Sequence, residues 1–384
     1  MAMVEEKPAI AFVRDEIAEI ILLIATDKGA FLYFSDADRR HWDVTGPHFM
    51  GSIVHHIVLD PRDNQTLLAS IYSHTKGPDI YRSKDFGKTW TPTNKASKFN
   101  EKLKQPPHHT ICLLPGHPED INTWYTGTSQ GIFHSKDGGD NWDLIAKFNQ
   151  INLTKNNQRK EHSLFEIHSI IINPANKQHM YLSMSNGGVL ESYDQGINWA
   201  SLNNGIHTDS QANSEIKSLF DSFSIITHPI NPNRIYQQSN YGLYRLEEKN
   251  KQWKRIGHNL PKEIGDLGLP IAIHPNEPDT IWTFPIDQNE PRSKVCPGGQ
   301  PALYCTKDAG DSWFRQDIGL PMRNAWLTVN NKSLSTDSMV ETGVYFGTTS
   351  GTIWMSNNEG NSWRQIALHL PQILAVETGK ILKK

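Results

Sequence analysis

The chain has 384 residues, 21% of them charged and 37% hydrophobic, with a formal net charge of −3 and an isoelectric point near 6.6. Without a basic excess it carries no electrostatic footprint for nucleic acid or an anionic membrane surface, and no apolar run reaches the roughly 20 residues that a membrane-crossing helix requires. Three cysteines, an odd and sparse count, fit a reducing compartment, so the expected setting is the cytoplasm.

The first thirty residues are acidic and broken by charges. The run Ile20–Ala25 is too short and too poorly flanked for a signal peptide and fits a buried strand. From there a unit repeats. Seven of the eleven tryptophans (Trp42, Trp90, Trp142, Trp199, Trp253, Trp313 and Trp363) recur at intervals of roughly 50 to 60 residues, the period of a propeller built from like blades. Length alone would suggest two or three domains, but the repeats account for nearly the whole chain and predict a single domain, 1–384.

Each repeat reads as four strands. The first is HHIVLD (55–60), TICLL (110–114), IHSIIIN (167–173), FSIITH (223–228) or PIAIH (270–274). A Pro/Asn/Asp turn follows, then an aromatic and β-branched second strand such as TWYTGTS or RIYQQSN. The third strand runs into an octet ending in Trp, and the fourth starts there. The first repeat opens at its second strand, ILLIATD (21–27), and lacks a first. Ile373–Glu377, after the last Trp, is a spare strand that can supply it. The predicted fold is therefore all-β: a seven-bladed β-propeller whose ring is closed by the C-terminal strand, leaving no bare inner edge.

The octets are SKDFGKTW (83–90), SKDGGDNW (135–142), SYDQGINW (192–199), TKDAGDSW (306–313) and SNNEGNSW (356–363). Their Asp carboxylates (Asp85, Asp137, Asp194, Asp308) can accept from turn amides, with Asn358 as a substitute in the last copy. Gly87, Gly139, Gly196, Gly310 and Gly360 supply a residue free to take φ > 0. The octet resembles the Asp-box, or bacterial neuraminidase repeat, found in sialidases, sortilin-type receptors, xyloglucan-cleaving glycosidases and the photosystem II assembly factor family. HHIVLDPRD (55–63), EIHSIIINP (166–174), RIYQQSNYGLYR (234–245) and VYFGTTSGTIW (344–354) extend the resemblance to bacterial proteins described as glycosyl hydrolase or exo-alpha-sialidase-like. It implies the fold, and offers a hydrolase or an assembly factor as functions. A true sialidase is disfavoured. Val13-Arg14-Asp15 stands where that family has Arg-Ile-Pro, and few arginines (Arg159, Arg292, Arg323) fall in the upper loops.

Long connections fall between fourth and first strands (91–109, 143–166, 200–220, 254–268) and between one second and third strand (285–301). In an up-and-down blade both classes lie on one face, where function is expected. Gly127–Gly131 matches G-x-S-x-G but joins two strands, so it reads as a hairpin rather than a nucleophile elbow. Cys296 and Cys305 lack zinc-site partners and read as free thiols. Candidate carboxylates for glycoside hydrolysis are Glu166, Asp221 and Asp266, with Glu161 and Asp287 also on the loop face. Aligned by apolar pattern, His56 and His168 both stand at the start of a first strand. With a thiol they form a weak metal-ligand set, and otherwise they line a polar pocket with Tyr236, Gln237 and Gln238. The expected partner is a small polar ligand or a protein, with no nucleic acid and no membrane; no cofactor is named by any motif.

Overall fold

The computed structural model describes residues 19–75, 77–93, 110–129, 131–147, 166–206 and 221–381. These form seven four-stranded antiparallel sheets. Blade 1 joins β1 (Ile20–Thr26), β2 (Gly29–Ser35) and β3 (Asp43–His48) to β28 (Ile373–Lys380). Blade 2 is β4 (Ile53–Leu59), β5 (Leu67–Ser73), β6 (Gly77–Ser83) and β7 (Thr91–Pro92), and blade 3 is β8 (Thr110–Pro115), β9 (Trp124–Thr128), β10 (Gly131–Ser135) and β11 (Asp143–Lys147). Blade 4 is β12 (Ile167–Asn173), β13 (Asn176–Met184), β14 (Gly188–Ser192) and β15 (Ala200–Ser201). Blade 5 is β16 (Ser222–Thr227), β17 (Ile235–Ser239), β18 (Gly242–Glu247) and β19 (Gln252–Arg255). Blade 6 is β20 (Gly268–Ile273), β21 (Ile281–Pro285), β22 (Leu303–Thr306) and β23 (Phe314–Gln316), and blade 7 is β24 (Leu334–Thr336), β25 (Val344–Gly347), β26 (Ile353–Ser356) and β27 (Arg364–Ala367).

The ring closes as the spare strand predicts. β28 lies antiparallel to β1, from Ile20 opposite Lys380 to Thr26 opposite Ile373. All seven residues of β1 are buried, because a blade in a ring is covered on both faces and its strands can be apolar throughout. Ile21, Leu23 and Ala25 pack toward blade 2, against Leu67 and Ala69, while Leu22 and Ile24 pack toward blade 7, against Tyr345 and Met355. The period-2 alternation of a strand thus feeds two separate inter-blade cores.

The octet hairpins hold these cores in register. In SKDGGDNW the Ser135 hydroxyl accepts the Gly139 N–H at 2.9 Å and donates to Asp137 at 2.7 Å. Asp137 accepts the Asn141 N–H at 2.8 Å, and the Trp142 indole donates to the Gly139 carbonyl at 2.9 Å. Gly139 takes φ 93°, and a side chain there would press on Leu68 of the neighbouring blade. Asn358 does substitute for the aspartate: its Oδ1 accepts the Ser362 N–H at 3.0 Å. Gly127 and Gly131 lie in successive strands β9 and β10, as a hairpin requires.

Candidate functional site

The innermost strand of each blade lines the axis. In five blades its ladder to the second strand skips one residue near the start. In blade 1 it is Leu374, between Ile373 opposite Thr26 and Ala375 opposite Ala25; the other four are blades 2 to 5. His56 pairs with Ser70, Cys112 with Gly127, Ser169 with Ser183 and Ser224 with Gln238, and the skipped residues are His55, Ile111, His168 and Phe223. This corrects the alignment made from sequence. His168 matches His55, a bulge residue, whereas His56 matches Ser169.

The two histidines accordingly do different things. His56 is 4% exposed and lies between three blades. Its Nδ1 accepts the Leu113 N–H of blade 3 at 3.1 Å, which fixes the proton on Nε2, and Nε2 donates to Glu377 Oε1 of blade 1 at 2.9 Å. Ser169 makes the corresponding bond one pair of blades on, accepting the Ile225 N–H at 3.1 Å. Burial, and then the nearby Lys332 ammonium, hold His56 below the ordinary imidazole range against the pull of Glu377. His168 sits apart. Its Nε2 shares a hydrogen with Ser185 Oγ at 2.8 Å and its ring meets Phe223 edge-on. Burial, then Lys332 and Lys294, push it down to about 4. Both nitrogens of His56 are occupied, and among the described residues no three His, Cys, Asp or Glu side chains gather as a metal set.

An axial cavity of about 360 Å³ runs along these strands, from Asn331 and Lys332 at the loop-rich end to Ile273 and Thr336 deeper in. Its charged lining residues are Lys332 and Glu377, with the neutral His56 between blades; hydroxyls of Ser169, Ser224 and Thr378 add polarity. Lys332 is held by its backbone, whose carbonyl accepts the Val376 N–H at 2.8 Å. Asn331 reaches past blade 6 and donates to the Phe223 carbonyl at 3.0 Å, narrowing the mouth. A second cavity, also about 360 Å³, opens at the opposite, turn-rich end beside Pro61, Pro275 and Asp337. Cavity volume therefore does not single out the loop-rich face, where the long connections lead function to be expected.

The other sequence candidates are placed as follows. Asp266 is 7% exposed, with its oxygens on Arg255 at 2.7 and 2.8 Å and on the Leu243 N–H; as a buried carboxylate tied up in a structural ion pair it is corrected out of the catalytic set. Tyr236 is fully buried, its hydroxyl donating to the Pro278 carbonyl of the next blade at 2.9 Å, so it belongs to the core rather than to a binding surface. Gln237 and Gln238 are equally buried, Gln237 accepting from Ser222 and Gln238 donating to the Asp266 carbonyl. Glu166 and Asp221 do reach the loop-rich rim. The Glu166 carbonyl accepts the Ser185 N–H, and the Asp221 carboxylate accepts the Asn186 N–H at 2.8 Å. Burial raises Asp221 above the usual carboxylate range, against the Asn186 bond and Lys294. Most of connections 91–109, 143–166 and 200–220, with Arg159 and Glu161, lies outside the described residues, as does Arg14.

Sequence reading missed Lys332, Asn331 and Glu377, and also Trp326. Residues 317–333 form a long connection between blades 6 and 7. There Trp326 is 59% exposed and lies against Gly299 of the 286–302 loop, where a side chain would strike its ring. The two loops are pinned together by the Cys296 N–H to Leu327 and the Ala325 N–H to Gly299. All three cysteines are free and buried.

No family model matches the chain. A xyloglucanase of Hypocrea jecorina is 27% identical over 146 residues, 36% of this chain and 16% of that protein. Among solved structures, the GH74 xyloglucanase of Xanthomonas campestris superposes with a TM-score of 0.62 at 16% identity, covering 95% of this chain and 52% of that one. The Niastella koreensis GH74 enzyme gives 0.60 at 15% identity, covering 94% and 54%. YCF48 from Cyanidioschyzon merolae gives 0.52 at 15% identity, covering 82% and 85%. The chain thus spans about half the length of the GH74 structures it matches. At these identities the likeness is one of fold.

Proposed function

We propose that this chain is a non-catalytic propeller that binds a small polar ligand, or a polar segment of a protein partner, at the loop-rich mouth of its axial channel. The observation that carries this reading is the charge inventory of the axial cavity: one carboxylate, Glu377, already engaged by His56, and one ammonium, Lys332, with no counter-ion among the described residues. Two-carboxylate glycoside hydrolysis needs a second carboxyl about 5 to 10 Å away. Glu166 and Asp221 stand at the rim and do not line the cavity. His168 and Trp326 add a polar and an aromatic group to the same face. Three buried free thiols support a reducing, cytoplasmic setting.

A second reading, a glycoside hydrolase, is favoured by the 27% identity to a xyloglucanase over part of the chain. Release of reducing ends from xyloglucan and related β-glucans separates the two. The purified chain is expected to release none above a heat-inactivated control. Release that is abolished by Asp221→Asn or Glu377→Gln would overturn the binding reading.

A further inference from the structure

The axial cavity presents opposite charges, Glu377 and Lys332, in the neighbourhood of one imidazole. Glu377 is bonded to His56 through a single oxygen. Lys332 lies close enough to act on both His56 and Cys112, and forms no ion pair among the described residues. The two charged side chains are rooted on neighbouring segments of backbone. The Lys332 main chain is bridged to Ala375 and Val376 of β28, the strand that carries Glu377. The His56 tautomer that holds Glu377 is fixed by the Leu113 N–H.

A ligand bearing only a negative charge would meet Lys332 but be repelled by Glu377. A ligand bearing only a positive charge would meet the reverse. A ligand with both, a short distance apart, satisfies both in a site of lowered dielectric where unpaired charge is costly. The volume of about 360 Å³ falls at the small end of small-molecule sites. The Ser224 hydroxyl lines the cavity beside a ligand's remaining polar atoms, and Ile226 and Ile273 beside an apolar side chain.

Resting on the binding reading above, we propose that the axial cavity is a site for a small zwitterion of the α-amino-acid class, its carboxylate against the Lys332 ammonium and its ammonium against the Glu377 carboxylate. The probes are a panel of proteinogenic amino acids, with acetate and methylammonium as single-charge controls, titrated into the intact chain by calorimetry and followed by thermal shift. At least one amino acid is expected to bind, and neither control. Lys332→Met keeps the stem and Glu377→Gln keeps an acceptor for His56. Each should weaken amino-acid binding about tenfold or more. Glu377→Gln should in addition let acetate bind, because the repulsion is gone.

Unfolding curves of both variants that match the parent assign any loss to the site. Amino-acid binding indifferent to both substitutions would overturn the proposal, as would acetate binding the unmodified chain as well as any amino acid. If no amino acid binds but a peptide or oligosaccharide does, and Lys332→Met weakens it, the zwitterion assignment falls while the binding reading stands. Hydrolysis lost in Glu377→Gln would remove both.

Discussion

The two faces of the ring use polar side chains in opposite ways. On the turn-rich face they tie blade to blade. Arg62 donates to the Asp120 and Thr123 carbonyls, joining blade 2 to blade 3. His117 reaches Pro174 of blade 4, His274 reaches Thr342 of blade 7, and Arg234 pairs with Asp279 of blade 6. Arg39 and Asp337, both 4% exposed, close the ring between blades 1 and 7, with Tyr345 donating to the same carboxylate. These donors are spent on architecture. On the loop-rich face Lys332 and Lys294 make no ion pair among the described residues, and Trp326 is exposed on a braced turn. Groups whose pairing is not used up by the fold are the ones free to recognise something else.

This contrast can be broken by substitution on either face. The largest effect is expected from removing residues 372–384. That strips β1 of its partner and unburies a whole strand, so the chain should aggregate or lose several kcal/mol; a truncated chain that melts like the parent would show that the ring does not depend on closure. Asp337→Ala leaves the Arg39 guanidinium buried and unpaired, at a cost of about 3–5 kcal/mol in urea unfolding. A loss as small as that of a surface pair would mean that the turn-rich face is not the structural one.

Acid should act next. His168 is held down at about 4, and His48, His56, His134 and His228 are also lowered, chiefly by burial. Unfolded imidazoles take up protons near pH 6.5. Their contribution is therefore complete above that value and is lost as pH falls toward 4. Urea midpoints measured across this window should decline, and His168→Asn should make the decline shallower; an unchanged slope would remove His168 from the account. Asp137→Ala should cost about 1–2 kcal/mol by leaving turn amides unpaired, without altering ligand binding. Lys332→Met should leave stability within about 0.5 kcal/mol while changing binding, the smallest structural effect and the sharpest contrast with Asp337.

Sequence made the turn-rich face far more legible than the site. The octet aspartates and glycines announce themselves because a turn with φ > 0 admits few residue types, and the closing strand is apolar and unplaced elsewhere. The serine of the octet stood in the motif without a role, which its two bonds to Gly139 and Asp137 supply. β24, only Leu-Ser-Thr, escaped notice because three residues carry no periodicity. The histidine register failed for a physical reason. A bulge adds one residue without disturbing the apolar pattern on either side, so His56 and His168 looked equivalent. Glu377 and Lys332 were invisible because their meaning depends on contact between strands remote in sequence.

Blade 1 also sets a clock on biosynthesis. β1 meets β28 only after everything between them has been translated. At roughly 5–20 residues per second, that leaves the most apolar strand of the ring waiting about 20 to 70 s for its neighbour. Six blades can form by local hairpins in the meantime, but the seventh requires the longest-range strand pairing among the described residues, a slow class of step. The nascent protein therefore passes through an open-ring stage long enough to be met by a chaperone, and its yield in the cell should depend on translation speed more than that of a protein whose sheets close locally.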